Sequence, residues 1–197
     1  MIYTVHRIAM APDDVTWATT QVASVGVSLR SELCEFETSA QLLYDDKMLY
    51  VHFKTNETNL RAVHNLPNSM VCEDSCMEFF VAPYEHDGHY FNFEINPIGT
   101  MLLYKCLNRD AMTPVLVDHK TFHIKTVITQ KGWDLYYQIP FAFFENELGG
   151  YSRRMRGNFY KCGEKTSVEH YATWCPLKNN NEDFHDSASF GDIVLMQ

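Results

Sequence analysis

From Cys76 to Asn96 the sequence alternates with the period of an extended chain. Met77, Phe79 and Val81 alternate with Cys76, Glu78 and Phe80. Phe91, Phe93 and Ile95 alternate with Tyr90, Asn92, Glu94 and Asn96. Between the two runs, Glu85-His86-Asp87-Gly88-His89 is a polar turn containing glycine. Side chains of a strand point to opposite faces in turn, so one face of this pair is apolar and covers a core. The other face carries Asn92, Glu94 and Asn96, with Glu78 from the neighbouring strand. A wet face is the ordinary state of an antiparallel sheet, and Lys, Thr or Arg would serve it equally well. Amides and carboxylates add donors and acceptors of fixed geometry, which suit a hydroxyl-rich ligand.

The same alternation recurs along the chain. A-Q-L-L-Y (40–44), a turn at Asp45-Asp46-Lys47 and M-L-Y-V-H-F (48–53) form a hairpin, with Leu49, Val51 and Phe53 on one face and Tyr50, His52 and Lys54 on the other. Residues 56–72 are polar and aperiodic, a loop long enough to suggest function. Strands are expected near 25–29, 101–107, 122–129, 133–139, 155–162, 171–174 and 190–195. Lys131-Gly132 marks a turn. A short helix is expected at 141–148, opened after Pro140 and stopped by Gly149-Gly150. About nine or ten short strands at regular turn spacing predict an all-β sandwich, antiparallel, in one domain spanning residues 1–197.

The net charge of -9, with no block of Lys or Arg, argues against nucleic acid and anionic lipid as partners. No run of residues is long and apolar enough to span a membrane. The N-terminus M-I-Y-T-V-H-R-I lacks the pattern of a signal peptide, and a cytoplasmic location is expected. The six cysteines (34, 72, 76, 106, 162 and 175) are expected to be mostly reduced and buried. Phosphate-binding loops, dinucleotide fingerprints and a nucleophile elbow are absent from the sequence. His86 and His89, and the Cys72-x3-Cys76 pair, fall short of a metal site by spacing or by ligand number. Trp17 and Trp133 read as core. Trp174, in Y-A-T-W-C-P, reads either as core or as an aromatic platform for a sugar ring.

Several stretches taken together resemble carbohydrate-binding module family 9 of the stand-alone type, within the wider DOMON-like group. They are L-L-Y-D-D-K-M-L-Y-V-H-F (42–53), E-D-S-C-M-E-F-F-V-A-P (73–83), Y-F-N-F-E-I-N-P-I-G-T (90–100), W-D-L-Y-Y-Q-I-P-F (133–141), R-G-N-F-Y-K-C (156–162), Y-A-T-W-C-P (171–176) and F-H-D-S-A-S-F-G-D-I-V-L (184–195). The resemblance implies an immunoglobulin-like β-sandwich that binds mono- or oligosaccharides without cleaving them. In such modules a pair of Trp rings sandwiches a sugar, and Glu, Arg and Asn bond its hydroxyls. Trp174 matches one ring and Glu78 the carboxylate, with Arg156 as candidate arginine. Asn92, Glu94, Asn96 and Asn158 complete the expected sugar-binding set. Where the second Trp would fall, this chain has Val71-Cys72-Glu73. No cofactor is expected beyond a structural calcium of the kind family members can hold, with Asp45, Asp46 and Asp74 as candidate ligands.

Two rival readings remain at this level. One is a haem-binding electron-transfer domain of the same superfamily, using residues such as Met101 and His170. The other is a glycoside-processing enzyme using Glu78 and Glu94.

Overall fold

The computed structural model describes residues 1–28, 36–84, 87–178 and 183–197. Cys34 and part of the 85–89 turn, including His86, lie outside the described residues. Fourteen strands are present among the described residues: β1 (Ile2–Arg7), β2 (Ala23–Ser24), β3 (Val27–Ser28), β4 (Thr38–Tyr44), β5 (Met48–Thr55), β6 (Cys76–Ala82), β7 (Tyr90–Ile95), β8 (Met101–Asn108), β9 (Ala111–Pro114), β10 (Lys125–Thr129), β11 (Gly132–Pro140), β12 (Arg154–Gly163), β13 (His170–Thr173) and β14 (Gly191–Leu195). Helices α1 (Asp14–Ala18) and α2 (Phe141–Leu148) complete the regular elements, with three short 3-10 turns.

The strands form the two layers of a sandwich. One layer runs β14-β12-β6-β7-β8-β9, with β13 and then β3 beside the far half of β12. The other runs β10-β11-β5-β4, with β2 on β4. Pairing is antiparallel except at β1, which lies parallel to β14 through Ile2–Val5 and parallel to β4 through His6–Arg7. β1 therefore stitches the two layers along one side. The expectation of purely antiparallel pairing misses this strand, because an isolated apolar alternation carries no sign of direction.

Both inner faces are aromatic. Phe53 of β5 meets Phe159 of β12 edge-on between the layers, 5.7 Å between centroids, and Tyr137 of β11 meets Phe93 of β7 at 6.1 Å. α2 closes one end of this core: Phe143 packs on Phe91 at 4.9 Å and on Phe122 at 5.4 Å. The helix starts after Pro140, whose φ of -61° suits an N-terminus, and it stops at Gly149 in the left-handed region at φ 78°. Gly132 is required at the β10–β11 turn: its φ is +132°, and a Cβ there would run into the Thr55 carbonyl. β10 begins later than the alternation suggests. Phe122 sits in a 3-10 turn with its ring fully buried, and His123 takes φ 47°, so the pairing starts at Lys125.

Trp174 belongs to this core. It is 7% exposed, and its ring lies 5.4 Å from Phe159 and 6.2 Å from Tyr3. Its six-membered edge rests on Gly191, where a Cβ would approach Cζ3 to 2.8 Å. The stacking-platform reading of Trp174 is thus corrected. Parity on β13 turns Tyr171 and Thr173 outward and Ala172 and Trp174 inward. Trp174→Ala is expected to lower the unfolding free energy by about 3–5 kcal/mol through cavity formation, read by urea denaturation. A loss under about 1 kcal/mol would contradict the core placement.

Candidate functional site

The outer face of the β12-β6-β7-β8 layer is not simply wet. Cys76, Phe80, Tyr90, Leu102, Cys106, Tyr160 and Cys162 form a second apolar cluster there, covered by Val71, Phe184 and Phe190 from two loops. A pocket of about 430 Å³ opens within it, in the size range of small-ligand sites. Its floor holds Glu78, Asn92 and Glu94. Tyr104, Tyr171, Phe80 and Phe184 supply aromatic wall, and Arg109, Asp110, Glu164 and His185 stand around it.

Register places the floor. Glu78 of β6 lies directly opposite Glu94 of β7, and Phe80 opposite Asn92. Glu78 and Glu94 are 2% and 5% exposed. Asn92 is fixed at both ends of its amide: Oδ1 accepts from the Tyr104 backbone N–H at 2.9 Å, and Nδ2 donates to Glu94 Oε1 at 2.7 Å. It thereby orients one of the two carboxyls. Burial pushes Glu94 up to about 7, opposed by the Asn92 hydrogen bond. Burial also pushes Glu78 well above the ordinary carboxylate range, and the Glu94 charge adds to it. Two like charges on directly opposed residues in a desolvated pocket disfavour double ionisation.

The loops that wall the pocket are tied down by the remaining polar residues. Asp74 accepts from the backbone N–H groups of Val63 and His64 and from Asn96 Nδ2, all near 3 Å, with Arg61 Nε at 3.4 Å. Asn96 also donates to His64 O at 2.8 Å. Asn158 is fully buried; it accepts from Cys175 N at 2.8 Å and donates to Cys175 O at 3.0 Å. Arg156 is half-buried and donates to Phe190 O at 2.5 Å. So the structure brings together Glu78, Asn92 and Glu94 of the expected set. It gives Asn96, Asn158 and Arg156 the work of anchoring loops, and Trp174 that of core. Their polarity made them candidates, but each is consumed by backbone partners.

Tyr104 and Tyr171 are the residues that sequence reading passed over. Register assigns both to the cavity: Tyr104 opposes Asn92, and Tyr171 opposes Cys162 two places along β12 from Tyr160, so the pairing of the strands and not the local pattern marks them. Arg109, Asp110, Glu164 and His185 come from turns, where no period marks direction. Arg109 is tied to Asp183 at 2.7 Å. His185 is brought down to about 4 by burial and bonds to the Tyr90 hydroxyl at 2.9 Å.

The thiols near the pocket are poor nucleophiles. Burial raises Cys72, Cys76, Cys106 and Cys162, and all are free, as is Cys175. The candidate calcium ligands do not converge. Asp45 accepts from Lys47 N, Met48 N and the Tyr50 hydroxyl, Asp46 pairs with Arg7 at 2.6 Å, and Asp74 is engaged as described. No partner is shared, so these three do not fit one cation. Met101 is fully buried between the layers, while the ring nitrogens of His170 are taken by Lys161 Nζ at 2.8 Å and Val168 O at 2.7 Å. That pair cannot ligate one haem in this arrangement.

The family model described as "Carbohydrate-binding family 9" matches residues 34–195. A solved structure of a protein of Bacteroides uniformis ATCC 8492, held to be carbohydrate-binding, is 25% identical with a TM-score of 0.85 and covers 99% of each chain. A family 9 carbohydrate-binding module of Caldicellulosiruptor kristjanssonii in complex with glucose is 15% identical with a TM-score of 0.71, covering 100% of this chain and 96% of that one. The cellotriose complex from the same organism is 16% identical with a TM-score of 0.68, covering 99% and 93%. No curated protein sequence matches the chain.

Glu94 binds its proton more tightly folded, at about 7, than in an unfolded chain, where a glutamate titrates near about 4.3. The protonated carboxyl therefore stabilises fully below about pH 4, and that contribution is lost as the pH rises through about 7. Glu94→Gln removes the share of the dependence that Glu94 contributes. The variant is expected to gain stability relative to the parent between pH 4.5 and 8, followed by urea denaturation across that range. A difference that stays flat with pH would contradict the buried, proton-holding carboxyl.

Proposed function

The chain belongs to carbohydrate-binding family 9, and we propose that the pocket over β6, β7, β8 and β13 is its sugar site. The observation that carries this reading is the meeting of buried acceptors and half-buried rings in one cavity. Glu78 and Glu94 line the floor as hydrogen-bond acceptors for hydroxyls, and Tyr104 and Tyr171 offer ring faces to the C–H face of a pyranose. Because the second Trp expected from the family resemblance is absent and Trp174 is core, tyrosines take the apolar contact. The C. kristjanssonii modules bind glucose and cellotriose, which makes glucosyl units the natural first probes.

Binding without cleavage fits the carboxyl pair. A glycosidase separates its carboxyls into an acid kept protonated and a partner kept ionised. Here burial moves Glu78 and Glu94 in the same direction, so neither is set up as the ionised partner.

Isothermal titration calorimetry with a panel of neutral and amino sugars, glucose and cellotriose included, tests the site. Saturable binding of at least one sugar is expected, weakened about tenfold or more in Glu78→Ala and in Tyr171→Ala, the loss of one buried hydrogen bond or one stacked ring. Full-strength binding in both variants would place the site elsewhere.

A further inference from the structure

The charges around the pocket are unbalanced. Among the described residues, Glu78, Glu94, Asp110 and Glu164 line it with Arg109 as the one Lys or Arg, and that guanidinium is tied to Asp183 at 2.7 Å. The buried cation nearest along the sheet, Lys161, lies next to Cys162 in β12 but points to the other face. Its ammonium spends its donors on Glu57 at 2.9 Å, His170 at 2.8 Å and Cys162 O at 2.9 Å.

Glu78 and Glu94 are more than nine-tenths buried, both line the cavity, and neither forms an ion pair among the described residues. The donor beside Glu78 is the Cys162 thiol, a weak donor already directed at Cys72 O at 3.3 Å. Among the described residues Glu94 accepts from Asn92 Nδ2 alone. A neutral sugar can be held by any balanced set of donors and acceptors. Two carboxyls facing each other at a cavity floor, with no cation beside either among the described residues, suit a ligand that brings positive charge.

Resting on the sugar-site reading above, we propose that the preferred ligand is an amino sugar, a hexosamine or an oligosaccharide containing one, whose ammonium sits between Glu78 and Glu94 while its ring lies against Tyr104 or Tyr171. The ammonium supplies the counter-charge that the fold withholds. It reverses the burial penalty on both carboxyls by favouring their ionised forms, and the tyrosine faces add cation–π attraction. An N-acetylated sugar has the same ring but no charge, so it gains none of this.

The test is calorimetric titration of the full chain with glucosamine, N-acetylglucosamine and glucose at neutral pH, with the glucosamine disaccharide and cellobiose as longer probes. Glucosamine is expected to bind about tenfold or more tighter than the other two monosaccharides, the margin of a charge-assisted over a neutral hydrogen bond. The advantage shrinks as salt rises. In Glu94→Gln the ratio of glucosamine to glucose affinity is expected to fall toward one, whatever each loses alone; matched unfolding curves establish that the variant is folded. Glucose or cellobiose binding at least as tightly as the amino sugars would overturn this inference and leave the sugar site standing. Amino-sugar preference that persists in both Glu94→Gln and Glu78→Gln would overturn it by placing the ammonium elsewhere. Absence of binding by every probe would overturn both this inference and the sugar-site reading.

Discussion

Phe79 lies opposite Phe93 on one neighbouring strand and opposite Phe159 on the other, and this register governs both the core and the pocket. The three rings are fully buried and build the layer interface. The same pairing sets Glu78 opposite Glu94 and Tyr160, on the reverse face. A slip of one residue would carry the carboxylates into the aromatic core and the phenylalanines out to the pocket. The cost of a charge in that core makes such a slip prohibitive, so the hydrophobic pattern that stabilises the sandwich also fixes the floor of the site.

The walls depend on a different kind of interaction. Loops over the outer face cannot rest on alternation, and they are held by buried polar side chains that spend their hydrogen bonds on backbone groups. Asp74 and Asn96 hold 61–64, Asn158 holds the turn at Cys175, and Arg156 holds the chain at Phe190. Glu57 adds a buried ion pair: one oxygen meets Lys161 and the other accepts from Ser75 at 2.7 Å. Breaking one partner of such a pair strands a charge, so it pins the loop strongly even where its net contribution to stability is small. The consequence is a cavity whose shape is set in advance, with few polar groups left to reorganise when a ligand enters.

Rings and carboxyls divide the labour between the layers. The family resemblance points to tryptophan at the ligand, and this chain puts its comparable tryptophan, Trp174, against Tyr3 and Phe159 between the sheets. Tyr104 of β8 and Tyr171 of β13 then face the cavity. A phenol ring offers less apolar area than an indole, but its hydroxyl remains usable at a wet rim. In the proposed sugar site the carboxyls below, which form no ion pair among the described residues, would make electrostatics a larger part of recognition than a pair of stacked indoles would.

The hairpins around 40–53 and 76–96, most of the longer strands, the helix after Pro140 and the polar face carrying Glu78, Asn92 and Glu94 were legible in the sequence, whereas β1 and β9 were not. Period-2 alternation is a local property, and burial enforces it residue by residue. The sequence could not say which polar residues of that face would be spent on the protein itself. Asn96 and Asn158 carry the same amide as Asn92, yet only Asn92 lines the cavity, because chain segments far away in sequence arrive over the other two with unpaired backbone groups. Nor could it orient Trp174, whose inward face is set by the pairing of β13 with β12, or see that β1 lies parallel to both of its neighbours. Those outcomes rest on pairing and contacts between separate segments of the chain, and only the tertiary structure decides them.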